Sequence, residues 1–173
     1  MYAKIAVLST AAALAAVCFG NPADVRTSDK RDVEQAAARF YSSLNAIFTG
    51  DTTPMQQIWS HADDITYLGP TGGIETGWAQ VSAIWTRQAA LNLGGSVEPT
   101  AMQITVGGDL AVVQCLEQGH NLDTQGRPVP VSIRATSVFR NEQGEWKMIS
   151  HHTDLIPELE QRAIRLSTTE VGN

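Results

Sequence analysis

Apolar residues recur at helical spacing in the first third of the chain and form one continuous stripe. The stripe consists of Val33, Ala37, Phe40, Leu44 and Ile47. Ser28 is a favourable N-cap residue, and Gly50 is a favourable stop. The pattern therefore predicts a long amphipathic helix from about Ser28 to Gly50.

Two further helices and one short strand are predicted before residue 94. A short helix is expected to follow Thr53-Pro54, because proline is favoured in the first turn of a helix. The segment GWAQVSAIWTRQAALN predicts a third helix with Trp78, Val81 and Trp85 on one side. Between these helices, DDITYLGP predicts a strand that ends at the turn PTGG.

Beyond Gly94-Gly95 the pattern changes from helical spacing to long strands. These are SVEPTAMQITVG, DLAVVQCLEQGHNL, PVPVSIRATSVFR and EWKMISHHTDL. The turns between them, GGD, DTQG and NEQG, are typical of antiparallel hairpins. Helices followed by a meander predict an α+β fold, with the helices packed on one face of a curled antiparallel sheet.

The N-terminus has the pattern of a secretory signal peptide. Lys4 is followed by an uncharged run from Ile5 to Gly20, which is short for a membrane span. The predicted organisation is a signal peptide over 1–20, a polar linker over 21–28, one domain over 29–157 and a tail over 158–173. The mature protein is expected to be periplasmic or secreted, and free of the membrane once the signal is cleaved.

Composition excludes several functional classes. The formal net charge is −6, without a cluster of Lys and Arg, so nucleic-acid binding is not expected. Cys115 would be the one cysteine left after Cys18 leaves with the signal, which excludes an intramolecular disulfide and favours a core position. The histidines and cysteines lack metal-site spacing, and the sequence contains no Gly-rich phosphate loop or nucleophile elbow. We expect neither a metal nor a cofactor.

The last predicted hairpin contains two adjacent histidines, His151 and His152, of which a strand can turn only one inward. A three-residue loop of Glu142, Gln143 and Gly144 would pair Arg134 with His152. A four-residue loop would pair Arg134 with His151 instead, and a slip of one residue exchanges the two faces. Glycine at the last loop position favours the shorter loop and predicts that His152 faces the interior.

In this register one face of the hairpin mixes polar and large apolar side chains. Arg134, Thr136, Ser150 and His152 lie beside residues that include Trp146 and Met148. Such a mixture is typical of the wall of a half-buried pocket. The alternative is a solvated face, against which the tryptophan and the methionine argue.

The segments RATSVFRNEQGEWKMISHHTDLIP and DITYLGPTGGIETGWAQVSAIW resemble nuclear transport factor 2-like proteins, over about residues 30–157. The resemblance is to the SnoaL-like domains and to the association domain of calcium/calmodulin-dependent protein kinase. It implies a cone in which a strongly bent antiparallel sheet wraps round the long N-terminal helix, with two further helices. It also implies an internal pocket and, for many members, dimers through the outer face of the sheet.

By position, the resemblance places Arg134, Thr136 and His152 in the pocket, with Ser150 replacing a residue that is often histidine in the kinase branch. Glu117 stands where that branch has a second pocket arginine. An internal ion pair between Arg134 and Glu117 is an equal alternative to an arginine that is free to bind a ligand. Among the aromatic residues, Tyr67 and Trp85 are included as pocket residues, although core positions are the commoner role for such residues.

Three functions remain open from the sequence. The first is an exported protein that binds a small polar or anionic molecule through Arg134 and His152. The second is a proton-transfer isomerase, cyclase or dehydratase with His152 as its base and Tyr67 or Thr136 as a donor. The third is an assembly module without catalysis. A homodimer through Ile133, Phe139 and Ile149 on the outer face is compatible with all three.

Overall fold

A computed structural model describes residues 22–70 and 72–155 of the chain. The predicted signal peptide and the predicted C-terminal tail lie outside these residues. The helices are α1 (Pro22–Ile47), α2 (Thr53–Ile58) and α3 (Trp78–Ala89). The strands are β1 (Thr66–Leu68), β2 (Glu75–Thr76), β3 (Ser96–Gly107), β4 (Leu110–Leu122), β5 (Pro128–Glu142) and β6 (Glu145–Leu155).

The long helix α1 ends close to the predicted position but begins earlier. Its first residue is Pro22, which suits the first turn of a helix, so the helix takes in most of the segment predicted as a linker. The predicted start at Ser28 is therefore wrong. At the other end, Gly50 has φ of 92° and donates its N–H to the Ile47 carbonyl, as expected of a glycine that stops a helix. The predicted apolar stripe is buried throughout.

The six strands form one sheet in the order β2-β1-β6-β5-β4-β3. Strands β3 to β6 make an antiparallel meander, and β1 adds to its edge parallel to β6. The curved sheet does not close, and its inner side chains share one hydrophobic core with the stripe of α1 and with α3. The predicted α+β cone is confirmed. In the described part of the chain, no helix has both the length and the apolar character of a membrane span.

The β5–β6 hairpin differs from the prediction in its loop. Glu142 pairs with Glu145, so the loop contains two residues, Gln143 and Gly144. Both have positive φ, 57° and 92°, as in the type I′ turns that fit the twist of a hairpin. Asn141 accepts a hydrogen bond from the Gly144 N–H through its side chain, at 2.9 Å. The predicted three-residue loop, and with it the register, is wrong.

A β-bulge then exchanges the faces of β6 beyond Met148. Phe139 pairs with Met148, but Val138 pairs with Ser150, so Ile149 is an extra residue on this strand. Before the bulge, the side chains of Trp146 and Met148 point inward. After it, the inward positions are His151 and Thr153 rather than Ser150 and His152. Interior placement of His152 is therefore wrong.

The same register corrects the prediction of which residues lie on the outer face of the sheet. Phe139 is fully buried, and Ile133 is buried with it on the inner face of β5, so neither can form the predicted dimer surface. Ile149 is half-buried at the bulge. On the outer face of β4 and β5, the half-buried aliphatic side chains Val112, Leu116 and Val138 lie among exposed polar ones such as Gln114 and Arg134.

Candidate active site

A cavity of about 340 Å³ opens inside the cone, between α1, α3 and the inner face of the sheet. Most of the side chains around it are apolar, and neither Lys nor Arg lines it in the part of the chain that the structure describes. The polar side chains that reach it are Tyr67, Gln88, Glu117, Asn121, Ser132, His151 and Thr153. A concave, mainly apolar space with a few polar groups is the usual form of a small-molecule site.

Three of the predicted ligand-binding residues line this cavity, namely Tyr67, Trp85 and Glu117. They come from β1, α3 and β4, and each is at most 5% exposed. The structure brings them together because all three point into the concave side of the sheet. Their placement at the cavity agrees with the sequence-based prediction, whereas their role in binding stays a prediction.

The other four predicted residues do not line the cavity. Arg134 and His152 are exposed, and Thr136 and Ser150 are half-buried. Ser150 exchanges a hydrogen bond of 2.9 Å with the hydroxyl of Thr66 on the neighbouring strand, and His152 lies 3.4 Å from Asp154. The prediction failed because the loop has two residues instead of three and because the bulge at Ile149 was not predicted.

Arg134 has neither of the two roles that the sequence left open. Its backbone pairs with Leu116, and Glu117 pairs with Ile133, so the arginine and the glutamate belong to opposite faces of the sheet. Glu117 is 2% exposed on the inner face, whereas Arg134 is exposed on the outer one. An internal ion pair between these residues is thus excluded.

Glu117 is instead the centre of a buried chain of polar groups. Tyr41 on α1 donates its hydroxyl to Glu117 Oε1 at 3.1 Å and lies 3.0 Å from Cys115 Sγ. His151 Nε2 is 3.5 Å from the same carboxylate oxygen, and His151 Nδ1 is 2.9 Å from Ser137 Oγ. One proton arrangement serves all of them: Ser137 donates to Nδ1, so that the neutral imidazole carries its proton on Nε2, facing Glu117.

The electrostatics of this chain follow from burial. Burial raises the pKa of Glu117 to about 7, although the hydrogen bond from Tyr41 opposes the rise. Burial, with a smaller effect of the His152 charge in the same direction, lowers the pKa of His151 to about 3. The imidazole is therefore neutral at physiological pH, and Glu117 exchanges its proton there. Their 3.5 Å contact therefore joins a neutral imidazole and a carboxyl group and is not a permanent ion pair.

A second set of polar groups faces the cavity from α3 and the ends of the sheet. Gln88 Nε2 donates to the Tyr67 hydroxyl at 2.9 Å. Burial raises the pKa of Tyr67 to about 12, so its hydroxyl stays protonated at neutral pH. Over the described residues, Trp85 Nε1 and Thr153 Oγ1 are buried without a hydrogen-bond partner. Since buried polar atoms are normally paired, these two cavity-lining groups are available to a bound molecule.

Sequence reasoning missed several residues of this site, among them Tyr41, Gln88, Ser137, His151 and Thr153. For Tyr41 a signal was present, because it follows Ala37 by four residues and precedes Leu44 by three on the apolar stripe. For His151 and Thr153 the inward position depends on the bulge at Ile149, which the sequence does not mark. Ser137 lies on the inner face of β5 with Ala135 and Phe139, a face that the two-residue loop sets against Trp146 and Met148. Where the structure describes the chain, no cluster of His, Cys, Asp and Glu could hold a metal ion.

Solved structures with the same fold share low sequence identity with this chain. A candidate dehydratase of the nuclear transport factor 2-like family from Streptomyces avermitilis has 24% identity and a TM-score of 0.66, over 75% of this chain and 97% of its own. A candidate association domain of calcium/calmodulin-dependent protein kinase type II from Thiobacillus denitrificans has 23% identity and a TM-score of 0.62, over 71% and 94%. A candidate ketosteroid isomerase from Shewanella frigidimarina has 17% identity and a TM-score of 0.58, over 71% and 94%.

No curated protein matches the sequence significantly. The family model of the SnoaL-like domain matches residues 33–156, which include most of α1 and every strand of the sheet. The match contains the whole cavity and the Tyr41–Glu117–His151 chain. The protein therefore belongs to the SnoaL-like domain family, and it shares the fold of solved nuclear transport factor 2-like proteins.

Proposed function

We propose that the protein binds a small, uncharged and mainly apolar organic molecule, with a carbonyl or hydroxyl group directed towards Glu117. The observation that carries this proposal is the buried carboxyl of Glu117, which faces a mainly apolar cavity whose lining, among residues 22–70 and 72–155, includes neither Lys nor Arg. Burying a carboxyl without a cation costs stability, and such arrangements are characteristic of functional sites. An anionic ligand, as expected from the sequence, would meet this carboxyl instead of Arg134.

The binding proposal is tested with two probes of the same shape, nonanone and its acid counterpart nonanoate. Calorimetric titration at pH 8 is expected to show binding of the ketone, and weaker binding of the anion because ionised Glu117 repels it. In Glu117→Gln the preference for the ketone should shrink. Glu98→Gln, which removes an exposed carboxyl of β3, is the matched control and should behave as the wild type. Equal binding of both probes by the wild type would contradict the proposal.

A second candidate function, proton transfer next to a carbonyl, is favoured by the pKa of Glu117. A carboxyl with a pKa of about 7 can both take and return a proton at neutral pH. In the proposed step the Glu117 carboxylate removes a proton from the carbon beside the carbonyl, and the electron pair of the broken C–H bond moves into the enolate. The Tyr67 hydroxyl donates a hydrogen bond to the enolate oxygen, and Glu117 then returns its proton to carbon. The base is thus Glu117 in place of His152.

Exchange of deuterium from solvent into bound ketone measures this step directly. We expect the wild type to accelerate exchange at the carbon beside the carbonyl, Glu117→Gln to abolish the acceleration and His152→Ala to retain it. Exchange that disappears with His152→Ala and survives Glu117→Gln would reinstate His152 as the base. If the ketone binds but no exchange is observed, the proposal of ketone binding stands and the proposal of proton transfer is contradicted.

Export and dimerisation belong to the same proposal. Cleavage within about the first twenty residues would be seen as a lower intact mass in the exported form.

For the dimer, the outer face of β4 and β5 supplies the aliphatic side chains Val112, Leu116 and Val138. Val138→Glu should give a monomer in analytical ultracentrifugation while ketone binding persists. A dimer that survives this change would place the interface elsewhere.

A further inference from the structure

A second cavity, of about 230 Å³, adjoins the first on the far side of α3. It is lined by Ile84 and Arg87 of α3, by Glu75 of β2 and by glycines that follow β1. Three residues line both cavities, namely Tyr67, Gln88 and Leu91. Leu91 is 64% exposed, so Tyr67 and Gln88 form the inner part of the boundary between the two spaces.

The boundary is held closed by the hydrogen bond between these two side chains. Gln88 Nε2 donates to the Tyr67 hydroxyl at 2.9 Å, which uses a lone pair of the oxygen and leaves the hydroxyl proton for another acceptor. The tyrosine ring is fixed at the same time by its packing on Trp85, with ring centroids 4.8 Å apart, and on His151, at 6.0 Å. The hydrogen bond and the ring packing together hold the Tyr67 hydroxyl in a fixed position, from which it can donate its proton.

We infer that Gln88 is a positioning and specificity-determining residue, which holds the Tyr67 hydroxyl as a donor to the ligand carbonyl and limits the length of ligand that the cone accepts. This inference rests on the proposed binding of an uncharged carbonyl compound. It adds a limit on the length of that compound, whose chain has to end at the Tyr67–Gln88 boundary. Removal of the Gln88 side chain joins the two cavities and admits longer chains.

Two substitutions separate the two roles of Gln88. Gln88→Met keeps a long unbranched side chain at the boundary but loses the N–H donor. Gln88→Ala loses both the donor and the boundary. Gln80→Ala is the matched control, since Gln80 lies on the same helix, is exposed and lines neither cavity.

Chain length is tested by calorimetric titration with methyl alkyl ketones from hexanone to dodecanone. In the wild type, in Gln80→Ala and in Gln88→Met, affinity is expected to fall roughly tenfold at the longest chain, because the ligand overpacks the space that ends at the Tyr67–Gln88 boundary. In Gln88→Ala this loss should disappear. A length limit that persists in Gln88→Ala, in a variant that still binds hexanone, would overturn the boundary role.

The donor role is tested by the infrared carbonyl stretch of bound, isotopically labelled nonanone. The wild type should show the low-frequency band of a hydrogen-bonded carbonyl, and Tyr67→Phe should lose it. Gln88→Met should weaken or broaden the band, with about a fivefold loss of affinity. A band in Gln88→Met identical to that of the wild type would overturn the positioning role. Failure of the wild type to bind any ketone would overturn the proposed function and this inference together, an outcome distinct from the others.

Discussion

Two clusters of charged and polar side chains place a carboxyl group in opposite surroundings. On the surface, Arg140 of β5 binds Asp64 at 2.7 Å and Glu142 at 2.8 Å, so that two carboxylates share one cation. Inside the cone, Glu117 has the hydroxyl of Tyr41 and the neutral imidazole of His151 as its partners. The first cluster contains charge and countercharge, and the second contains a carboxyl without a countercharge.

The pKa values move in opposite directions for this reason. The hydrogen bonds from Arg140 lower the pKa of Asp64, and water screens what remains of the interaction. Burial raises the pKa of Glu117 to about 7, because the interior favours the neutral form. A surface network of this kind adds little to stability and to chemistry. Glu117 lowers the free energy of unfolding at neutral pH, and the same raised pKa allows its carboxyl to exchange a proton there.

Glu117→Gln should have the largest effect on stability, because it removes the buried carboxyl that distinguishes the interior cluster from the surface one. A folded-state pKa of about 7, against 4.5 in the unfolded chain, means that Glu117 weakens the folded state as pH rises from about 4.5 to 7. The difference amounts to roughly 3 kcal/mol at about 1.4 kcal/mol per pKa unit. Urea denaturation should therefore show that the variant gains stability relative to the wild type over this pH range. Glu98→Gln, which is exposed, is the control; an offset for Glu117→Gln that does not vary with pH would contradict the account.

Tyr41→Phe should have an intermediate effect, confined to the interior cluster. The phenol donates to Glu117 Oε1 and thereby stabilises the ionised carboxylate. Without it the pKa of Glu117 should rise above about 7 by roughly one unit, since a hydrogen bond to a charged group contributes about 1.5 kcal/mol or more. The measurement is the pH profile of deuterium exchange into nonanone, which should shift to higher pH. A profile that stays in place would show that Tyr41 does not act on Glu117.

Arg140→Gln should have the smallest effect, although it removes two ion pairs. Asp64 is exposed and Arg140 and Glu142 keep part of their side chains in water, so the loss in the free energy of unfolding should be about 1 kcal/mol or less. The pKa of Asp64 should rise towards its ordinary value, as observed by NMR titration of the Asp64 side chain. The interior cluster should not respond. A change in the pH profile of exchange would link the two clusters and contradict their separation.

The fold was predictable because its signals are local and repeated. The stripe of α1, the proline at the start of α2 and the alternation on the long strands each specify an element without reference to the rest of the chain. The alternation of inward and outward side chains on β4 also predicts part of the site. Ala111, Val113 and Cys115 point inward, and Glu117 continues the same face. This pattern is sufficient to place a carboxyl inside the cone.

The hairpin was predictable as an element but not in its register. Gly144 fits both the three-residue loop predicted and the two-residue loop observed, because its positive φ is needed in either. The bulge at Ile149 depends on how β6 fits between β1 and β5. Neither the composition of β6 nor the spacing of its apolar residues signals the extra residue. Each of these steps exchanges the faces of a strand, so Arg134, Thr136, Ser150 and His152 were placed inside and His151 outside.

Direct titration of the Glu117 carboxyl tests the central claim most directly. Carbon-13 NMR of the glutamate side chains, recorded from pH 4 to pH 9 on the wild type and on Glu117→Gln, isolates the signal of this residue by difference. The account predicts a midpoint of about 7, more than two units above the ordinary value of 4.5. A midpoint near 4.5 would mean that the carboxyl is solvated or paired with a cation, and would contradict both its burial in the cone and its role in proton exchange.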